Sequence, residues 1–312
     1  MRGMGIELPA VMGVVNVTPD SFSDGGRFLD PGRATDHGLA LAAAGAAVLD
    51  VGGESTRPGS QPVPADEQRR RVLPVIRRLA AESGVAVSVD TSDASVAAAA
   101  LEAGATMVND TTAGRGDPAM LGLVAEAGAG YVFMHMQGTP ATMQADPRYA
   151  DVVAEVGAFL AARRAAAVDA GIAEDRLVAD PGLGFGKTVA HNLTLLARLG
   201  DVARAAGVPV MVGPSRKGFV GAAGGAPGAP LPLADRDDPT LAAAVWALDH
   251  GAAMVRVHDV APVAEAVRLL RAVAAADPAD PNPPTSWQPP VLPEDRPVVE
   301  VDRPGTGSGA SR

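Results

Sequence analysis

Polar side chains follow nearly every short apolar run in this chain, and they are the residues whose types could support chemistry. Four of them offer cationic or N–H donors suited to phosphate oxygens: Arg57, Lys217, Arg256 and His258. Three others offer carboxylate or amide groups suited to a nitrogen heterocycle: Asp90, Asn109 and Asp180. The set predicts a pocket with an acidic half that binds a heterocycle and a basic half that binds phosphate.

Each of these residues also has an ordinary explanation. A lone Asp after a strand usually caps the next helix, and a lone Arg is usually solvated. Polar residues at all eight strand ends are harder to explain as caps. We therefore expect the two groups to lie within about 10 Å of each other, because one small ligand in one pocket must contact both.

The glycine-rich segment 180–188 is the nearest approach to a nucleotide-binding motif. In a P-loop the first glycine precedes Gly186-Lys187-Thr188 by a fixed spacing, and Pro181 stands at that position. The P-loop is rejected, and the glycines are expected to let the backbone approach a flat ligand. For Gly184 and Gly186 a turn-rich loop without a ligand role remains the alternative. No histidine in the sequence is placed as a base for Ser215, so a catalytic triad is not predicted.

The apolar runs alternate with amphipathic stretches. Eight runs read as strands: 11–15, 47–51, 86–89, 106–108, 131–134, 177–179, 210–212 and 254–257. They are continuously apolar, which is typical of parallel strands covered on both faces. Eight strand–helix units in about 275 residues predict a (β/α)₈ TIM barrel, with its active site at the carboxyl ends of the strands. The rival is a doubly wound open sheet.

The composition argues against several classes of protein. The net charge is −10, which argues against a general nucleic-acid surface, and there is no cysteine. No apolar run approaches the roughly 20 residues that span a bilayer. We predict one barrel domain over residues 1–276, a loop at 222–232, and a Pro- and Gly-rich disordered tail over 277–312.

Several segments together resemble the dihydropteroate synthase family, a group of pterin-binding barrels. The longest matching segments are 12–26 and 50–59, followed in order by 88–91, 109–110, 134–138, 180–187, 215–217 and 256–260. The resemblance covers about residues 11–275. It implies an α/β TIM barrel and a transferase that joins 4-aminobenzoate to (7,8-dihydropterin-6-yl)methyl diphosphate. The products would be 7,8-dihydropteroate and diphosphate, in folate biosynthesis.

By this resemblance each site residue has an implied role. Asp90, Asn109, Asp180 and Lys217 would hold the pterin, while Thr56, Arg256 and His258 would hold the diphosphate and Asn16 the Mg²⁺. Arg57, Pro58, Phe185 and Ser215 would frame the aminobenzoate. Asp90, Lys217, Arg57 and Asp180 would be catalytic, under loops 18–26 and 56–61. A cytoplasmic homodimer is implied. A pterin-dependent methyltransferase and a non-catalytic pterin-binding paralogue remain alternatives.

Overall fold

Eight parallel strands, each followed by at least one helix, make up a computed structural model that describes residues 5–18, 31–55 and 60–276. The strands are β1 (Ala10–Asn16), β2 (Val48–Gly52), β3 (Ala86–Asp90), β4 (Met107–Asp110), β5 (Gly130–Met134), β6 (Leu177–Asp180), β7 (Met211–Val212) and β8 (Met254–Val257). The helices are α1 (Pro31–Ala43), α2 (Ala65–Glu82), α3 (Ala94–Glu102), α4 (Met120–Ala127), α5 (Val152–Asp169), α6 (Val189–Ala197), α7 (Leu199–Ala206), α8 (Gly218–Gly224), α9 (Asp237–Asp249) and α10 (Ala261–Ala275).

The sheet closes on itself. Its strand order is β6-β5-β4-β3-β2-β1-β8-β7, so strands that are consecutive in the chain lie side by side. A parallel bridge between Ala179 in β6 and Val210, next to β7, joins the two ends of that order. The predicted (β/α)₈ barrel is confirmed, and the doubly wound open sheet is excluded because such a sheet keeps two free edges.

The lower interior of the barrel is apolar. One side chain from each strand packs there: Met12, Val48, Ala86, Met107, Val132, Val178, Met211 and Met254. Alternate residues of a strand share a face, so the residues two positions further along also point inward. That second layer contains Asp50, Ser88, Asn109, Asp180 and Arg256. The strands therefore change from an apolar floor to a polar mouth within one step.

The outer face of the barrel carries the main hydrophobic core. Helix residues such as Ile76 and Leu79 are fully buried against strand residues such as Leu49. Each buried side chain of this size contributes about 1.5–3 kcal/mol. Side-chain caps fix where helices begin: the Asp93 carboxylate accepts from the Ser95 and Val96 N–H groups ahead of α3. These contacts hold the strand ends, and hence the mouth, in place.

Each predicted strand overlaps an observed strand, and the predicted eighth strand has the observed bounds. The predicted loop 222–232 is wrong at its start, because residues 222–224 form the end of α8. The three glycines of this helix, Gly218, Gly221 and Gly224, lower its intrinsic helix propensity. It forms because Phe219 and Val220 are buried in the core, which a local composition cannot reveal.

The predicted tail, 277–312, lies outside the described residues, and the boundary at 276 stays a prediction. Among the helices that the structure describes, none combines the length and the apolar character that a bilayer crossing requires.

Candidate active site

The carboxyl ends of the strands bring the described members of the predicted site together around one mouth. Asp90 ends β3, Asp180 ends β6, and Arg256 lies in β8. A Cβ built on Gly52 would lie 3.8 Å from Asp90 Oδ2 and 3.9 Å from Asn16 Oδ1. Glycine at this position therefore leaves open the space between these two polar groups.

Arg256 is the centre of a buried ion network. Its Nε donates to Asp50 Oδ2 at 2.7 Å, and its Nη2 donates to Asp90 Oδ2 at 2.8 Å. Asp50 Oδ2 also accepts from Asn109 Nδ2 at 2.9 Å. Asp50 is fully buried, and its Oδ1 has no hydrogen-bond partner among the described residues. Asp50 thus orients both Arg256 and Asn109 from below the mouth.

Lys217 reaches the same mouth from the segment after β7. A Cβ on Gly213 would lie 3.8 Å from both the Lys217 Nζ and the Arg256 Cβ. The Lys217 ammonium donates to the carbonyl oxygen of Leu183 and lies 4.6 Å from the centre of the Phe185 ring. Two predicted site residues, Lys217 and Phe185, are therefore in direct cation–π contact.

Burial and neighbouring charges shift the pKa values of the charged residues in the mouth. Burial raises the pKa of Asp90 to about 7, although the Arg256 guanidinium opposes that rise. Burial also raises the pKa of Asp180, against the charges of Lys217 and Lys187. Burial lowers the pKa of Lys217 to about 8, while Asp180 acts to keep it charged. Such shifts are typical of functional sites.

The loop after β6 is held against the end of β5. Asp180 Oδ1 accepts from the Gly182 N–H at 2.7 Å. Gly182 and Gly186 have positive φ angles of 67° and 60°. A Cβ on Gly182 would lie 1.9 Å from the His135 carbonyl oxygen, and one on Gly186 would lie 2.6 Å from that of Gln137. These two glycines let the loop approach protein backbone, and the predicted approach to a ligand stays a prediction.

Ser215 and His258 are hydrogen-bonded, which corrects the expectation that no histidine faces Ser215. The Ser215 Oγ and the His258 Nδ1 lie 2.8 Å apart, and the His258 backbone N–H donates to the same Oγ at 3.2 Å. The two residues lie 43 positions apart, and the parallel pairing of the neighbouring strands β7 and β8 brings them together. The pair places the predicted aminobenzoate residue beside the predicted diphosphate residue.

Three predicted site residues, Thr56, Arg57 and Pro58, lie outside the described residues, as does most of the predicted loop 18–26. The chain on either side of 56–59 is firmly tied. Glu54 accepts from the Val63 N–H at 3.0 Å and from Gln68 Nε2 at 2.9 Å. Gln68 in turn accepts from the Thr91 hydroxyl at 3.1 Å, next to Asp90.

The predicted division of the mouth into an acidic and a basic half is wrong at Arg256. The Arg256 side chain is paired with Asp90, from the other half, within hydrogen-bond distance. Buried charges require close counter-charges, because an isolated charge in this layer would be strongly disfavoured. The described members of the two groups converge at one mouth, but the two kinds of charge are interleaved.

Two further side chains contribute to the site without having been assigned a role from the sequence. Asp50 lies two residues after the inward-facing Val48, so strand periodicity could have identified it as an inward carboxylate. Lys187 lies at the end of the glycine-rich loop with its ammonium buried. No local pattern distinguishes such a lysine from an exposed one.

Asn16 is the predicted protein ligand of the metal ion. Within residues 5–18, 31–55 and 60–276 there is no cluster of three or more His, Asp or Glu side chains suited to a metal ion. Asn16, at the end of β1, offers an amide oxygen across Gly52 from Asp90. One such ligand fits a Mg²⁺ ion that takes its other ligands from substrate phosphates and water.

A family model described as pterin-binding enzyme matches residues 12–258. The dihydropteroate synthase of Mycobacterium leprae is 50% identical over 270 residues, covering 86% of this chain and 94% of that protein. The Escherichia coli K12 enzyme is 42% identical over 277 residues, covering 88% and 96%.

Solved structures of dihydropteroate synthases are also similar to this chain. Xanthomonas albilineans dihydropteroate synthase with 4-aminobenzoic acid has 47% identity and a TM-score of 0.79, covering 86% of this chain and 94% of that one. The same enzyme in complex with 7,8-dihydropteroate has 45% identity and a TM-score of 0.77. With these matches along most of its length, and with the strand-end residues gathered at one mouth, this chain belongs to the dihydropteroate synthase family of pterin-binding enzymes.

Proposed function

We propose that this protein condenses 4-aminobenzoate with (7,8-dihydropterin-6-yl)methyl diphosphate to give 7,8-dihydropteroate and diphosphate in folate biosynthesis. The observation that carries the proposal is the single mouth at which Asp90, Asn109 and Asp180 lie together with Lys217 and Arg256. A heterocycle that bears an anionic leaving group needs both kinds of partner in one pocket.

The pterin ring is assigned to the inner layer of the mouth. Asp90 and Asp180 supply carboxylate oxygens for ring and amino N–H groups, and Asn109 supplies an amide held by Asp50. Lys217, close to Asp180, supplies a donor for a ring acceptor. A ring that takes Asp90 Oδ2 must displace the Arg256 guanidinium from that oxygen.

The aminobenzoate is assigned to the outer side, next to Phe185 and Ser215. Phe185 is half-buried and packs against a small cluster of Met134, Met136 and Met143. Its ring offers a flat apolar surface of the kind on which a benzene ring packs. Arg57 and Pro58 are assigned here from the family resemblance.

The reaction moves one bond at the pterin methylene carbon. The C–O bond to the diphosphate breaks, and the oxygen leaves with the electron pair. The lone pair of the aminobenzoate nitrogen forms the new C–N bond, and one amine proton is released. Arg256 and His258 stabilise the developing anion, and Asp90 and Asp180 favour the cationic character that develops on the pterin side. An arylamine is already nucleophilic, so no strong base is required.

Magnesium is the proposed cofactor, with Asn16 as its protein ligand. When bound, Mg²⁺ would neutralise charge on the leaving diphosphate. The supporting observation is the position of the Asn16 amide oxygen, which lies 3.9 Å from a Cβ built on Gly52, the residue between Asn16 and Asp90 in the sheet. A test is the Mg²⁺ dependence of turnover in wild type and Asn16→Ala, in which the metal concentration for half-maximal rate should rise.

A cytoplasmic homodimer is also proposed. Helices α6, α9 and α10 expose large apolar side chains, among them Leu193 at 42%, Trp246 at 48% and Leu269 at 65%. Apolar side chains of this size on neighbouring helices support an interface between copies. The absence of cysteine accords with a reducing compartment. Sedimentation of the purified protein should give twice the monomer mass.

The activity test uses purified protein, the pterin diphosphate, Mg²⁺ and 4-aminobenzoate, with diphosphate release as the readout. Release that requires aminobenzoate and matches formation of dihydropteroate is the expected result. Pterin binding without release would favour the non-catalytic paralogue. Methyl transfer from a methylated pterin, without diphosphate release, would favour the methyltransferase.

A further inference from the structure

The chain contains two lysines, Lys187 and Lys217, and both lie at the mouth. Lys187 is only 3% exposed. Its Nζ lies 2.9 Å from His135 Nδ1 and 3.0 Å from the carbonyl oxygens of both Gly182 and Phe185. An ammonium has three N–H donors, so all three are used.

His135, on the other side of this contact, is part of the rigid scaffold. Its ring is buried and packs edge-on against Phe159 at 4.8 Å between centroids. Its backbone N–H donates to the Asp180 carbonyl at 2.9 Å, continuing the pairing of β5 with β6. Burial, with the nearby Lys187 charge, lowers the pKa of His135 to about 3, so the ring is neutral and its Nδ1 can accept.

Lys187 binds the carbonyls of Gly182 and Phe185, which lie at the two ends of the short segment 183–185. That segment carries both of the contacts of Lys217, namely the Leu183 carbonyl and the Phe185 ring. Other groups hold the loop from outside: Gln144 donates to the Gly184 carbonyl, and Tyr149 donates to that of Gly186. Lys187 holds it from inside, where its ammonium is buried.

We propose that Lys187 is a positioning residue of this active site. Its buried ammonium fixes segment 183–185 against His135, and this sets the position of the Phe185 ring and of the Lys217 side chain. Lys187 acts through these two residues and does not itself contact substrate. The inference rests on the proposed function, because it assigns Phe185 and Lys217 to the substrates.

Three elements supply the charged and polar groups around Lys187. Asp180, in β6, favours the ammonium, and Lys217, after β7, disfavours it. His135, at the end of β5, supplies a neutral acceptor. Burial is the largest influence and lowers the pKa of Lys187 to about 7.

Lys187→Met tests the proposal, because methionine keeps the length of the side chain and removes its donors. We expect kcat/KM for aminobenzoate to fall by about 10- to 100-fold, since small misplacement of positioning groups has effects of this size. The matched control is Thr188→Ala, the adjacent helix cap, whose hydroxyl accepts from the His191 N–H. It should lower the melting temperature and leave kcat/KM within about twofold. Wild-type kcat/KM in Lys187→Met, or an equal loss in both variants, would overturn the proposal.

A rebuilt side chain separates positioning from simple loss of packing. The chain has no cysteine, so Lys187→Cys introduces a single thiol. Alkylation with 2-bromoethylamine in denaturant, followed by refolding, gives a lysine-like amine, whereas propyl bromide gives an uncharged chain of the same length. Recovery of kcat/KM with the amine and not with the propyl group supports the proposal. Equal activity of the two products would contradict it.

A spectroscopic readout is independent of turnover. Protein labelled with ¹³C at the lysine ε carbon should give two signals, and Lys187→Met assigns them. The remaining Lys217 signal should change its chemical shift and its titration midpoint if segment 183–185 has moved. An unchanged Lys217 signal would overturn the proposal even if the protein proved inactive, whereas an inactive wild type would overturn only the proposed function.

Discussion

Arg256 Nη2 lies 2.8 Å from Asp90 Oδ2, so a residue assigned to the diphosphate and a residue assigned to the pterin ring are ion-paired with each other. Asp50 also pairs with this guanidinium, because its Oδ2 lies 2.7 Å from Arg256 Nε. When a ring takes Asp90, Asp50 can keep Arg256 in the mouth. The charge that faces the leaving group therefore stays close to the reacting carbon.

Removal of the Asp90 carboxylate tests its role in binding the ring. We expect Asp90→Ala to lower kcat/KM for the pterin diphosphate by about 10- to 150-fold, the equivalent of one hydrogen bond to a charged group, about 1.5–3 kcal/mol. The fold should survive, because Asp90 lies at a strand end with its side chain 10% exposed. Steady-state kinetics with circular dichroism checks both parts, and wild-type turnover would refute the role.

Asp50→Ala should affect stability more than Asp90→Ala does. Asp50 is fully buried and accepts from both Arg256 and Asn109. Its loss leaves a largely buried guanidinium with one counter-charge fewer, which costs about 3 kcal/mol. Urea denaturation of the two variants measures the difference. Equal midpoints for the two variants would show that Asp50 contributes no more than a mouth residue.

The pH dependence of kcat/KM follows from two shifted groups. Asp90 accepts hydrogen bonds as a carboxylate, and burial raises its pKa to about 7, so kcat/KM should rise as the pH increases through 7. Lys217 acts as an ammonium, and burial lowers its pKa to about 8, so kcat/KM should fall above pH 8. The rising and falling limbs of this pH profile report the pKa values of groups in the free enzyme.

Lys217→Arg is the control for the falling limb, because arginine keeps its charge up to a pH of about 12. Any activity that this variant retains should lack the decline above pH 8. A wild-type profile that is flat between about pH 6 and 10 would contradict the assignment of these two groups.

The last 36 residues, 277–312, are predicted to be dispensable. Their many prolines and glycines cannot bury enough apolar surface to offset the entropy of ordering them. A chain that ends at residue 276 should keep its activity and its melting temperature. A clear fall in melting temperature on truncation would show instead that the tail docks on the barrel.

Much of the fold could be predicted because strand and helix periods are local. The continuous apolar runs and the polar residues that follow them indicated a barrel and the edge at which its site forms. α8 could not be predicted, because its three glycines oppose a helix, which forms because Phe219 and Val220 are buried in the core.

Fewer features of the site than of the fold could be predicted from the sequence. Residue type and position indicated that Asp90, Asn109, Asp180 and Lys217 meet. The pairing of Arg256 with Asp90, and of Ser215 with His258, depends on barrel curvature and closure between distant segments. The burial of Lys187 depends on the path of a glycine-rich loop. Such contacts carry no local signal in a single sequence.

A crystal structure with 7,8-dihydropteroate bound is the most direct test of one shared mouth. The pterin should contact Asp90, Asn109 and Asp180, with the benzoate ring beside Phe185 and Ser215, and Arg256 should be released from Asp90 while it stays on Asp50. A pterin bound away from these carboxylates, or a benzoate group on a separate surface, would contradict the account.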